Sequence, residues 1–293
     1  MITIFTTLKP CRGQFATIQK NAVMSWSLLY PSCEIIIFGD EEGTEQLTAE
    51  LGLRHYHDIV CNEHGTPLVS ALFMEASRLA SHSILAYVNA DIILMKDFIV
   101  AVEAVKDLGT FLMVGRRWDV SVTEPIDFSE ARWEEELRSV VAEKGRLHSA
   151  QAIDYFVFNR QLWKDGIPPF AIGRTAWDGW LIFDACRRKV PVVDATEVVM
   201  AVHQDHEYNL SSVSCEKGEH WKGPEVRVNK RLAGRQAVNS SSSDAGLLLT
   251  REGLKPRRTS VRLRRFVVRH CPSLATAVVR SGRRVGLIKE NGK

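Results

Sequence analysis

Residues 83–95 read SILAYVNADIILM. Apolar side chains fill this stretch on both sides of one polar interruption, Asn89-Ala90-Asp91. That pattern suits a buried strand that ends by presenting a carboxylate. In an open α/β sheet, ligands collect beyond the carboxyl ends of the strands, so a carboxylate there is placed for a metal or a phosphate-bearing ligand. Two readings of Asp91 are open on local grounds: an oxygen ligand for a divalent cation, or a cap on the next turn.

The flanking sequence supplies alternating elements. Residues 2–7 (ITIFTT) and 34–40 (EIIIFGD) read as strands, and 55–60 as a third short one. Between the first two, Phe15, Ile18, Ala22, Trp26 and Leu29 recur at helical spacing until Tyr30-Pro31 stops them. Thr66-Pro67 reads as a helix entry, with Thr66 as cap, for a helix carrying Leu68, Leu72, Ala76 and Leu79 on one face. A helix over 97–108 and a strand over 111–115 follow. Strands alternating with helices imply a mixed, mostly parallel sheet flanked by helices. The pattern changes at Arg116, where a polar segment precedes a helix ending near Lys144. Strand composition returns at 153–159 (IDYFVFN), 190–194 and 198–202, and a helix is expected from Asp178. Beyond Asn209 the signal fades, and Ser240 to Ser243 with Asp244 reads as a flexible linker.

Composition bounds the function. The chain has 293 residues, 45% of them apolar, and six cysteines without a CxxC pair. That cysteine pattern fits neither a zinc framework nor a disulfide scaffold, and a reducing, cytoplasmic setting is the simplest expectation. No secretory pattern is visible at Met1, and Asn89 and Asp91 break the best apolar run well short of the roughly 18 residues that span a bilayer. The net charge of +3 divides unevenly: residues 251–293 carry +11 and the body −8.

Three further positions carry chemistry. His203 ends an apolar strand and is suited to complete a metal site with Asp91, and imidazole favours Mn²⁺ over Mg²⁺. His206 is either a second ligand or a substrate contact, and a surface position is the ordinary alternative for both histidines. Asp178 lies in GRTAWDGW at an expected helix start, where the dipole stabilises its anion. It is the best general-base candidate, with Trp177 and Trp180 as a platform for a sugar ring or, on the other reading, as core residues around a helix cap. Arg174 suits a phosphate or a surface carboxylate equally.

Taken in order, ITIFTT, EIIIFGD, AYVNADIIL, IDYFVFNR, PPFAIGRTAWDGWL and VVMAVHQDHEY resemble the GT-A fold glycosyltransferases, close to the family 2-like group, over roughly residues 2–210. The resemblance implies a nucleotide-diphospho-sugar transferase. Asn89-Ala90-Asp91 stands where that family has its DxD motif, which puts Asp91 on a Mn²⁺ or Mg²⁺ ion and Asn89 on the ribose or a metal-bound water. Asp40 matches the acid that reads the base, and Thr6 to Lys9, with Thr7, the first nucleotide loop. His203 matches the late metal-ligating histidine. Asp178 matches the base of inverting members, with Trp177, Trp180 and His206 on the acceptor side and Arg174 on the donor.

The expected organisation is therefore a transferase domain over 1–210, a linker or peripheral segment over 211–250 and a basic tail over 251–293. The acceptor is expected to be a glycan or a lipid-linked acceptor. Arginines interleaved with apolar residues over 261–268 fit either an anionic membrane surface, which would put the protein on the inner face of a membrane, or a solvated end. No nucleic-acid motif is present. The rival readings are a non-catalytic nucleotide- or glycan-binding module, which Asn89 favours, and a sugar nucleotidyltransferase, which the single glycine after the first strand disfavours.

Overall fold

The computed structural model describes residues 1–206 and 222–258. Nine strands form the main sheet: β1 (Thr3–Thr7), β2 (Glu34–Phe38), β3 (Arg54–Tyr56), β4 (Ile84–Val88), β6 (Leu112–Val114), β9 (Tyr155–Asn159), β10 (Val192–Asp194), β12 (Leu247–Thr250) and β13 (Gly253–Pro256). Their order is β13-β12-β10-β6-β9-β4-β1-β2-β3. Only β9 and β13 run against the other seven. The mixed, mostly parallel sheet expected from the alternation of elements is the one that forms.

Both faces of this sheet are covered, which explains why its central strands are rich in apolar residues on both sides. Phe5, Ile36, Phe38, Leu85 and Tyr87 point to one side, and Ile4, Ile35, Ile37, Ala86 and Val88 to the other. The first set packs on α3 (Val69–Leu79), α6 (Trp177–Arg187) and α7 (Pro224–Ala237). The second meets α1 (Gln14–Ser27) and α4 (Lys96–Val105), with Leu47 of the short α2 (Thr44–Leu51) at its margin. Each fully buried large side chain contributes about 1.5–3 kcal/mol, so these two layers carry most of the driving force.

A second, four-stranded sheet stands beyond the carboxyl end of β4. It comprises β5 (Ile92–Ile93), β11 (Ala201–Gln204), β7 (Arg117–Val120) and β8 (Arg146–Leu147), in that order, backed by α5 (Trp133–Lys144). Helix α1 clamps it to the first sheet. The Trp26 indole donates to the Ile92 carbonyl at 2.9 Å, the Gln204 amide donates to the Ile18 carbonyl at 2.8 Å, and Asn21 donates to Gln204 at 3.0 Å.

Several sequence expectations change here. The helix entry at Thr66-Pro67 is displaced: Pro67 bridges Cys61, and α3 begins at Val69. The polar segment after Arg116 contains β7, whose charged side chains conceal the strand. Ser240 to Ser242 are buried, and Ser241 and Asp244 cap one another reciprocally, so this segment is a packed turn rather than a flexible linker. The division at 250 also moves, because β12 and β13 close the sheet edge as one hairpin and Arg257 binds Asp194 at 2.5 Å. The basic stretch 261–268 lies outside the described residues.

Candidate active site

The site lies at the carboxyl ends of β1, β2 and β4, where the second sheet meets the first. Asp91 follows β4 directly. His203 on β11 is brought to it because β11 pairs antiparallel with β5, His203 opposite Ile92. The His203 Nε2 lies 3.6 Å and the His206 Nε2 3.3 Å from Asp91 Oδ2. One donor atom from each of the three residues falls within 4.8 Å of the others. His206, expected among the acceptor contacts, is thus gathered onto Asp91, with its ring edge against Phe15.

Burial alone would raise the Asp91 pKa, but the two imidazoles and Lys9 outweigh it and hold the carboxyl well below the usual range. Lys9 follows β1; desolvation lowers its ammonium pKa, with Asp91 opposing that shift and Arg174 adding to it. Asp91 Oδ1 is buried without a hydrogen-bond partner, and neither ring nitrogen of His203 has one. A buried carboxylate oxygen and imidazole nitrogens left unsatisfied beside one another fit a divalent cation. Oxygen with two nitrogens suits Mn²⁺ better than Mg²⁺.

Behind these residues stands a polar layer that sequence reading missed. His203 Nδ1 lies 3.3 Å from Asp119 on β7, and Asp119 is buried among Arg117 at 2.9 Å, Arg146 at 3.2 Å and His148 at 2.5 Å. The Arg117 guanidinium continues to Asp154 at 3.0 Å. Asp154 reaches the site because β9 runs opposite to β4: Tyr155 pairs with Val88, so the residue before β9 stands beside the residue after β4, and the Asn89 amide donates to the Asp154 carbonyl at 2.8 Å. In sequence Asp154 reads as one residue of an apolar strand, with nothing to mark that strand's direction.

This layer explains Asn89. Its side-chain amide donates to Asp154 and its carbonyl accepts from the Tyr87 hydroxyl at 2.9 Å. A carboxylate at position 89 would repel Asp154, whereas the amide satisfies it. Asn89 is therefore engaged within the protein rather than turned to a ligand.

Asp178 is the second residue of α6, and the preceding Ala176 holds φ 91°, a left-handed conformation that costs a non-glycine residue roughly 1–3 kcal/mol and tends to mark functional sites. Burial raises the Asp178 pKa to about 6, with Asp154 adding to the shift and backbone amides at the helix start opposing it. The neighbouring Trp177 ring lies 5.3 Å from Tyr87, whose hydroxyl donates to Asn89.

Other expected site residues take different places. Trp177 is buried against Tyr87 and Phe156, since the first turn of α6 lies flat on the sheet, so it is a core residue and not a sugar platform. Trp180 is only partly buried and packs on Phe170. Arg174 pairs with Glu225 at 2.7 Å and is thereby neutralised, the carboxylate alternative of the two read from sequence. Thr6 is fully buried, its hydroxyl donating to the Thr7 carbonyl at 3.3 Å, which removes it from any ligand surface; Thr7 beside it is partly buried. Asp40 is exposed beyond β2, 3.4 Å from His57.

No protein-family profile and no curated protein sequence matches the chain. Among solved structures, it is similar to S. aureus TarS 1–349 in complex with UDP-GlcNAc, at 11% identity and a TM-score of 0.46, over 72% of this chain and 61% of that one. It is also similar to M. tuberculosis glucosyl-3-phosphoglycerate synthase, at 15% identity and a TM-score of 0.46, over 84% and 83% of the two chains. A structure of that synthase with Mn²⁺, UDP and glucosyl-3-phosphoglycerate aligns at 17% identity and a TM-score of 0.42, over 70% and 72%. The chain spans about 61% of the length of the TarS fragment.

Proposed function

We propose that the protein transfers a sugar from a nucleotide-diphosphate donor to an acceptor hydroxyl. The observation that carries this reading is the convergence of Asp91, His203 and His206 beyond the carboxyl end of β4. Asp91, His203 and His206 would hold a divalent cation, Mn²⁺ or Mg²⁺, which when bound would supply positive charge to a departing diphosphate. Lys9 adds a fixed ammonium beside Asp91.

Asp178 acts as the general base. A carboxylate with a pKa near 6 is ionised at neutral pH yet basic enough to accept a proton from an attacking hydroxyl. An attack that Asp178 assists from the face opposite the leaving group would invert the anomeric centre. Trp180, one turn into α6, offers ring surface to the acceptor, a glycan or a lipid-linked acceptor.

A binding module without catalysis was the rival favoured by Asn89. The role of Asn89 toward Asp154 and Tyr87 weakens it, because the asparagine has a structural reason. The test is release of nucleoside diphosphate from UDP- and GDP-linked sugars with and without Mn²⁺. Mn²⁺-dependent release that is lost in Asp178→Asn supports transferase chemistry, and donor binding without any turnover supports the module.

A further inference from the structure

A second cluster of metal-capable side chains stands apart from Asp91. Strands β2 and β3 are parallel with Phe38 opposite Tyr56, so Asp40 and His57 emerge side by side just past the paired region. His55 precedes His57 by two residues and shares its face of the strand. The two imidazole rings lie with centroids 3.9 Å apart, tilted by 38° to one another. One donor atom from each of Asp40, His55 and His57 falls within 4.8 Å of the others.

The hydrogen bonding of His55 fixes its tautomer. Its Nε2 lies 2.7 Å from the Gly39 carbonyl, which can only accept, so Nε2 is the donor and, in the neutral ring, Nδ1 is the nitrogen with the lone pair. That Nδ1 is buried and has no hydrogen-bond partner. A backbone carbonyl engaging one ring nitrogen while the other is left for an ion is the arrangement that orients metal-ligating histidines. His57 Nδ1 stands 3.4 Å from Asp40 Oδ1. Donors around a tetrahedral zinc, with bonds of about 2.0–2.1 Å, lie roughly 3.3 Å from one another.

We propose that Asp40, His55 and His57 form a zinc-class divalent cation site, with solvent completing the coordination. Two imidazoles and one carboxylate are a borderline donor set that prefers Zn²⁺ to Mg²⁺. Asp40 and His57 are 75% and 52% exposed in their side chains, so an ion can reach them from solution and keep water as a remaining ligand. The site draws on none of the Asp91 cluster, and it shares with the transferase reading only Asp40, the expected base contact.

Zinc titration calorimetry on the chelator-stripped full chain tests it. Wild type should bind one more Zn²⁺ per chain than His57→Ala, and His55→Ala should lose the same ion. The same loss should appear in an Asp91→Asn background. His57→Cys, which restores a zinc donor, should recover it. His57 is half exposed, so its replacement should leave the melting temperature of the stripped protein unchanged. Equal zinc stoichiometry in wild type, His55→Ala and His57→Ala would overturn the proposal, as would loss of this ion in Asp91→Asn alone.

Discussion

Asp119 stands behind His203: the carboxylate lies 3.3 Å from the imidazole Nδ1, and the two residues are directly in register on neighbouring parallel strands. A carboxylate against one ring nitrogen leaves the other for Asp91 and for a cation, and it raises the basicity of the ligating nitrogen. Asp119→Asn keeps the shape but removes the charge. Mn²⁺ affinity, read by calorimetry, should fall by ~10- to 100-fold, the usual effect of removing such a partner. An unchanged Mn²⁺ Kd would mean that Asp119 serves only the arginines around it.

Asp178→Asn should reduce transfer by ~10²- to 10⁴-fold while leaving the donor Kd intact. In wild type, kcat should rise as pH climbs through about 6, because only the ionised carboxylate accepts a proton. The stability consequence has the opposite sign. The folded pKa of about 6 exceeds the ordinary 3.8, so the native state binds this proton more tightly than the unfolded chain does. Stability is therefore lost as pH rises between those values, by on the order of 3 kcal/mol at neutrality. Asp178→Asn should melt higher than wild type at pH 7 and alike below the unfolded pKa. A variant that melts lower at pH 7 would contradict the buried, ionised base.

Gly179, next to Asp178, lets α7 approach α6. A Cβ there would meet the Ala237 carbonyl at 2.5 Å and the Ser240 carbonyl at 3.3 Å, both backbone atoms that cannot swing aside. Gly179→Ala should cost about 1–3 kcal/mol, as overpacking does. Thermal denaturation should show it as a drop of roughly 2–4 °C per kcal/mol for a chain of this size. No drop would mean that α7 docks more loosely than the contact implies.

The strands β1, β2 and β4 and the mostly parallel character of the sheet were legible because both faces of these strands are buried, which makes each of them rich in apolar residues. Asp91 and His203 were legible as polar residues closing such runs. Asp119 and Arg117 were not, because β7 is a short strand in a layer whose side chains are charged. Asp154 was hidden by direction: β9 runs opposite to its neighbours, and composition carries no sign for that. Trp177 was misplaced since an aromatic at a helix start looks the same whether it faces a ligand or the sheet. Ser240 to Asp244 has linker composition, and only the reciprocal cap and the contact with α6 reveal a packed turn.

The central claim is that Asp91, His203 and His206 hold a cation that in turn holds a nucleoside diphosphate. Calorimetric titration of UDP and GDP into wild type and Asp91→Asn, each with and without Mn²⁺, tests it most directly. At least one of the two nucleotides should bind wild type with Mn²⁺ present, and both removal of Mn²⁺ and Asp91→Asn should weaken that binding by ~10-fold or more, the scale of one lost charge-assisted contact. Binding of equal strength in Asp91→Asn, or no binding of either nucleotide to wild type with Mn²⁺, would contradict it.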